Sequence, residues 1–442
     1  MSWTEKHVRR LFWRAGFGAT PAEARHWSRR GKARTIRWLL NGGRGPRVRL
    51  PEPSVDGRPL DPENEWGHDA LWWLDRMVRS DRPLVEKMTL FWHDHFATRD
   101  QDTPLMLRQN WLLRRHALGS FHTLVREVTR DTAMLLFLSL AGSDKEKPNE
   151  NYARELMELF CLGSGYSEDD IREAARALTG FVADYPESGL PTTYYDTEAH
   201  DGGVKRIYGR RGRFEWEDVI ELTIAHPRHA PFLVEKLWDW FTGIPIDRAT
   251  RARLVRMYKG SNHRVKPVVG AILAHPALYR RLDGPDLIKP PVVLVAGALR
   301  SLGQGVTRDE WTWVLSSMGQ QLFFPLSVAG WESGPSWLSS NSMHVRFDVG
   351  NHLLDRGPGS VPDGSAPVQL TPKQAVALAR QAVGGPWTSA NTDRLLASTA
   401  HSLLSDPELR EEGREKQRQD RADMTQRVLR HLLLAGPDAQ VH

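Results

Sequence analysis

The chain has 442 residues, 40% hydrophobic and 26% charged, long enough for one large domain or two closely joined ones and apolar enough to bury a sizeable core. Its net charge of +6 is scattered, with no dense basic run, which argues against nucleic-acid binding. A single cysteine, Cys161, excludes an internal disulfide and fits a reducing compartment.

The opening segment Met1–Arg10 lacks the apolar stretch and small-residue cleavage site of an export signal. The longest apolar runs, around Ala133–Ala141 and Pro290–Leu299, are too short to cross a bilayer. A cytoplasmic protein is expected. Most of the 17 tryptophans are expected as core anchors, since an indole buries a large area, although the same ring also walls pockets for flat ligands.

In chain order, residues 4–40 read as two helices divided at Gly16–Pro21. Thr20 followed by Pro21 and Glu23 makes a capping box for the second. A Gly/Pro-rich connector runs from Asn41 to about Pro62. Amphipathic helices are expected at about 65–80, 83–98, 104–118, 120–129, 132–141, 149–162 and 167–180, the last capped by Ser167 with Asp170. Residues 181–214 trade helix formers for Tyr, Thr, Gly and Asp. Thr192–Asp196 and Val204–Tyr208 are expected to pair there as a short hairpin.

Helices resume at about 215–226, 229–242, 247–258, 264–275, 288–302, 307–318 and 341–354. A Gly/Pro-rich loop is expected at 357–370, mobile over 357–367, before C-terminal helices at about 371–383, 388–404 and 420–434. The charged run Glu408–Arg421 reads as a solvated helix face. The expected architecture is all-α: one large multi-helix domain over 1–356 with a small irregular or β-hairpin insert at about 181–214, and C-terminal helices from 371 packed on it.

Three segments carry candidate chemistry. In Phe91-Trp-His-Asp-His-Phe96, His93 and His95 are two residues apart, so a regular helix projects them about 200° apart. They share one ion only if the helix ends or distorts; otherwise each is a core histidine hydrogen-bonded across helices. In Asn149–Phe160, Glu155 and Glu158 stand three apart on the polar face with Arg154 beside them. Such a pair binds metal when a second helix adds ligands; the competing reading is a solvated face or an Arg–Glu network with Arg172 and Arg176. His200-Asp-Gly-Gly-Val-Lys205 lies in the irregular insert, where it forms either a functional loop or a tight turn. No P-loop, dinucleotide fingerprint, nucleophile elbow or standard zinc spacing is present.

These three segments, with Asp170–Gly180, Phe324–Trp331 and Arg14–Pro21, resemble in kind and order a bacterial family catalogued as domain of unknown function 1800. The resemblance spans about residues 8 to 350. It implies no established activity. Similar proteins are often encoded beside a second family resembling sulfatases and phosphatases, which implies a protein partner. The chain departs from those members that carry export signals.

The leading expectation is a metal-dependent enzyme acting on an anionic or polar substrate. A divalent metal would be held by His93, His95, Glu155, Glu158 and His200. Glu155 and Lys205 would be catalytic, and Arg154, Arg176 and Asp201 would bind substrate. The alternatives are a non-catalytic helical scaffold that binds a partner protein, and a haem-binding redox protein using one of the histidines, although no Cys-x-x-Cys-His is present.

Overall fold

Helix starts form where side chains satisfy the free N–H groups of a first turn. The Thr20 hydroxyl accepts from the Glu23 N–H at 3.2 Å, while the Glu23 carboxylate accepts from the Thr20 N–H at 2.9 Å. Ser167 and Asp170 make the same reciprocal pair at 3.2 and 2.8 Å. In this computed structural model residues 2–43, 45–46, 49–100, 102–284, 287–405 and 415–442 are described. Twenty α-helices and three two-stranded antiparallel sheets make them mostly all-α with small β-hairpins. None of these helices is long and apolar enough to cross a membrane.

Several expected boundaries differ. Residues 4–40 form three helices, Glu5–Arg14, Pro21–Arg30 and Lys32–Asn41, because Gly31 at φ +80° interrupts the second. The expected hairpin does not pair as read. Thr192–Tyr195 instead pairs with Phe181–Asp184, and Lys205–Ile207 with Arg210–Gly212. The physical reason is a two-residue turn at Tyr208 and Gly209, both at positive φ, which folds the second segment back on its own neighbour. The helix expected at 149–162 is α-helical only over Asn151–Glu155, and continues as a π-helix over Leu156–Leu162. In the charged run Glu408–Arg421, residues 408–414 lie outside the described residues; the rest opens the Glu415–Ala435 helix.

Two hydrophobic cores organise the molecule. The first gathers Leu11, Phe12, Met88, Trp92, Phe121, Phe160 and Leu237. The second gathers Trp73, Leu90, Val292, Trp311, Val349 and Leu429. The Pro83–His95 helix feeds both, with every residue buried except Asp94. Its apolar side chains, each contributing about 1.5–3 kcal/mol when large and buried, hold the helix inside although Glu86, Lys87, Thr89, His93 and His95 are buried with them. The helices Pro372–Ala382, Ala390–Leu404 and Glu415–Ala435 put Ala375, Leu396 and Leu429 into the second core.

The segment 357–367, expected to be mobile, is tied to the last of these helices. Asp423 accepts from the Gly364 and Ala366 N–H groups at 2.6 and 2.8 Å. Arg430 donates to the Gly359 and Ser360 carbonyls at 2.8 and 2.7 Å.

Candidate functional site

The π-helix meets one of the other two sequence motifs, through His95. Its wider ladder leaves carbonyls at its C-terminal end for side chains to satisfy. Three successive carbonyls are taken in this way. The Leu159 oxygen accepts from Lys236 Nζ at 3.4 Å, the Phe160 oxygen from His95 Nε2 at 3.0 Å, and the Cys161 oxygen from His229 Nδ1 at 3.2 Å. His229 Nε2 in turn accepts from the Tyr258 hydroxyl at 2.9 Å. Burial holds the His95 imidazole well below its usual pKa and pushes His229 down to about 3. Both rings are therefore neutral donors at neutral pH.

His93 faces the other way, as its two-residue spacing from His95 requires on a helix. Its ring packs against Trp73, Trp331 and Phe323, with centroids 5.2, 5.4 and 5.7 Å away. Burial pushes its pKa to about 3, and its Nε2 has no hydrogen-bond partner. Between the two, Asp94 accepts from the Trp331 N–H at 2.8 Å, and desolvation raises its carboxyl to about 6.

The remaining predicted residues, Lys205 excepted, lie nearer the surface. Arg154 forks onto Glu168 at 2.9 and 2.7 Å and reaches Glu150 at 3.2 Å. Glu155 is half-buried and Glu158 exposed; burial first, then the Glu158 charge, raises the Glu155 carboxyl. The His200–Lys205 loop is fastened to the end of the Glu168–Ala177 helix. His200 Nδ1 donates to the Thr179 carbonyl at 2.9 Å, the Asp201 N–H donates to the Thr179 hydroxyl at 2.8 Å, and Arg176 Nε donates to Asp201 at 2.7 Å. Lys205 is buried and donates to the Asp201 and Phe214 carbonyls.

Arg176, His200, Asp201 and Lys205 are thus brought together, with Arg154, Glu155 and Glu158 on a separate stretch of surface. His93 and His95 sit in the interior, on opposite sides of their helix. Among the described residues, no group of three or more His, Cys, Asp or Glu side chains is arranged to hold a metal ion.

A different set of residues encloses a hollow of about 120 Å³. Trp13, from the Glu5–Arg14 helix, forms one wall. Leu294 and Ala298 of the Pro291–Leu302 helix, Trp387 and Leu433 form the others. Trp13 fits because Gly297 has no side chain; a Cβ there would stand 2.2 Å from the indole. Lys289 and His442 also line the space, at 6% and 5% exposure.

The Lys289 ammonium lies 4.0 Å from the Trp13 ring centroid and donates to the Ala439 carbonyl at 2.6 Å. Burial, then the Arg346 charge, pushes its pKa down to about 7. It makes no ion pair with a described carboxylate. Both ring nitrogens of His442 are buried and lack hydrogen-bond partners. An unpaired buried imidazole and an ammonium held only by a carbonyl and a π-face are each costly without a further partner.

Residues 10–441 match the family model described as "Protein of unknown function (DUF1800)". The chain belongs to this family. No curated protein and no solved structure matches it. The DUF1800 match reaches from the helix that carries Trp13 to Val441, so nearly all the walls of the hollow fall inside the family region. The hollow is not legible in the sequence. Its only local trace is Lys289 set between Leu287-Ile288 and Pro290–Val295, an apolar context that does not by itself distinguish a ligand contact from a buried structural lysine.

Proposed function

We propose that this DUF1800 protein binds a small organic acid, a carboxylate carrying one aromatic or branched apolar group, in the hollow between Trp13, Leu294, Trp387 and Leu433. One observation carries the reading: in a mainly apolar space that Lys6, Arg9, Arg10 and Asp438 also line, a buried cation, Lys289, makes no ion pair with a described carboxylate, and a buried imidazole, His442, makes no hydrogen bond through its ring. A carboxylate between them would satisfy both, and the aromatic walls would desolvate the rest of the ligand. The volume is close to that of cavities that accept one benzene-sized ring. The anionic ligand expected from sequence is kept, but in this hollow rather than at the His/Glu residues, of which His95 and His200 bond the Phe160 and Thr179 carbonyls.

Calorimetric titration with benzoate tests it. The expected dissociation constant is on the order of 0.1 mM. Neutral benzyl alcohol should bind at least tenfold more weakly, as should benzoate to Lys289→Met or His442→Ala. Equal affinity for the acid and the alcohol, or for wild type and both variants, would remove the basis of the proposal.

A further inference from the structure

A second hollow, of about 700 Å³, opens between the Lys32–Asn41, His68–Arg79, Pro83–His95 and Thr103–His116 helices and the start of Val265–Ala274. It shares no lining residue with the first. Six cationic side chains line it, Arg76, Arg82, Arg114, Arg115, Arg264 and Lys266, against two carboxylates, Asp81 and Glu86.

The floor is rigid. Glu86, 2% exposed, takes a two-pronged fork from Arg114 Nε and Nη2, both at 2.9 Å. The Asn110 side-chain oxygen holds the third guanidinium nitrogen at 2.6 Å. Arg76 approaches the same carboxylate only to 3.6 Å, and its buried Nε has no hydrogen-bond partner. Both guanidinium groups lie over indoles, 4.7 and 4.8 Å from the Trp111 centroid and 5.2 and 5.4 Å from that of Trp72. One buried carboxylate therefore serves two stacked arginines. Around the rim, the side chains of Arg82, Arg115, Arg264 and Lys266 make no hydrogen bond or ion pair with a described residue.

We propose that this hollow binds a compact ligand bearing two or more linked phosphate groups. Arg114 spends its fork on Glu86, whereas Arg76, fixed by stacking on the same indoles and only 3.6 Å from that carboxylate, keeps its Nη1/Nη2 edge for phosphate oxygens, and the unpartnered rim cations add charge around it. An anion of charge three or more matches the local excess of cations. The charges are confined to one walled space rather than laid out as a stripe, which favours a compact anion over a nucleic-acid strand. Trp111, 46% exposed, stands at the edge as a platform for a flat ring. The linked phosphates would belong either to a nucleotide or to a free polyphosphate.

The test is titration of the full chain with inorganic triphosphate, ATP and a single-stranded oligonucleotide about 20 nucleotides long, repeated with Arg115→Ala/Lys266→Ala and with Trp111→Ala. Both rim residues lack partners, so the double variant should melt within about a degree of wild type. Triphosphate should bind wild type in the micromolar range and bind the double variant at least tenfold more weakly. A nucleotide ligand would show as ATP binding more tightly than triphosphate, with that advantage lost in Trp111→Ala. Equal affinities would indicate a free polyphosphate. Absent or variant-insensitive triphosphate binding overturns the proposal, as does much tighter binding of the oligonucleotide than of triphosphate.

Discussion

Replacing His229 with leucine separates the hydrogen bonds of a buried imidazole from its proton equilibrium. In the folded protein the ring is fully buried between the Cys161 carbonyl and the Tyr258 hydroxyl, and its pKa falls from 6.5 to about 3. The folded value is the lower one, so on acidification the unfolded chain takes up the proton first. The neutral imidazole's contribution to stability is therefore intact above pH 6.5 and is lost as the pH drops toward 3, at about 1.4 kcal/mol per pH unit. Between pH 7 and pH 5 the loss comes to about 2 kcal/mol.

His229→Leu leaves a buried carbonyl and hydroxyl unpaired, which costs about 2–4 kcal/mol at pH 7, but it abolishes this linkage. Urea unfolding followed by tryptophan fluorescence at both pH values measures the difference. Other titrating groups cancel in the comparison. Wild type should lose about 2 kcal/mol more than the variant on acidification. Equal losses would refute the assignment of a neutral, buried His229 that caps the π-helix.

Three further outcomes follow from the same contacts. Glu86→Gln leaves Arg114 buried without its counter-charge and should lower stability by about 3–5 kcal/mol, whereas Arg154→Ala removes a half-exposed fork and should cost less than about 1 kcal/mol; thermal unfolding of the two variants checks the contrast. Gly297→Ala should destabilise by about 1–3 kcal/mol through overpacking against Trp13 and weaken benzoate binding measured by calorimetry. Because Lys289 carries its charge below about pH 7, benzoate affinity should hold below pH 7 and fall roughly tenfold per unit above it; a flat profile from pH 6 to pH 9 would remove the ammonium from the site.

Much of the helical architecture was legible because it rests on local rules. Thr20–Glu23 and Ser167–Asp170 close their helices by side-chain bonds three residues apart, and a 3.6-residue period alone separates His93 from His95. The misread features depend on contacts or conformations that the local pattern does not encode. The π-helix is satisfied by Lys236 and His229, more than 60 residues away, so nothing within 149–162 announces it. The hairpin pairing turned on a tyrosine, Tyr208, at positive φ, where glycine or asparagine would have been the readable signal. The His200–Lys205 loop was legible as a special turn, but not as one fastened to Thr179 and Arg176. The hollow proposed for the acid joins residues 13, 289, 387 and 442, each of which reads on its own as an ordinary core or terminal side chain.

The most direct test of the proposed function is a crystal of the protein soaked with 4-iodobenzoate, with the halogen located by its anomalous scattering. The account predicts a single strong peak among Trp13, Leu294 and Leu433, with the carboxylate within hydrogen-bonding distance of Lys289 Nζ and a ring nitrogen of His442. Iodine bound only elsewhere on the molecule, with this hollow empty or filled by water, would contradict it.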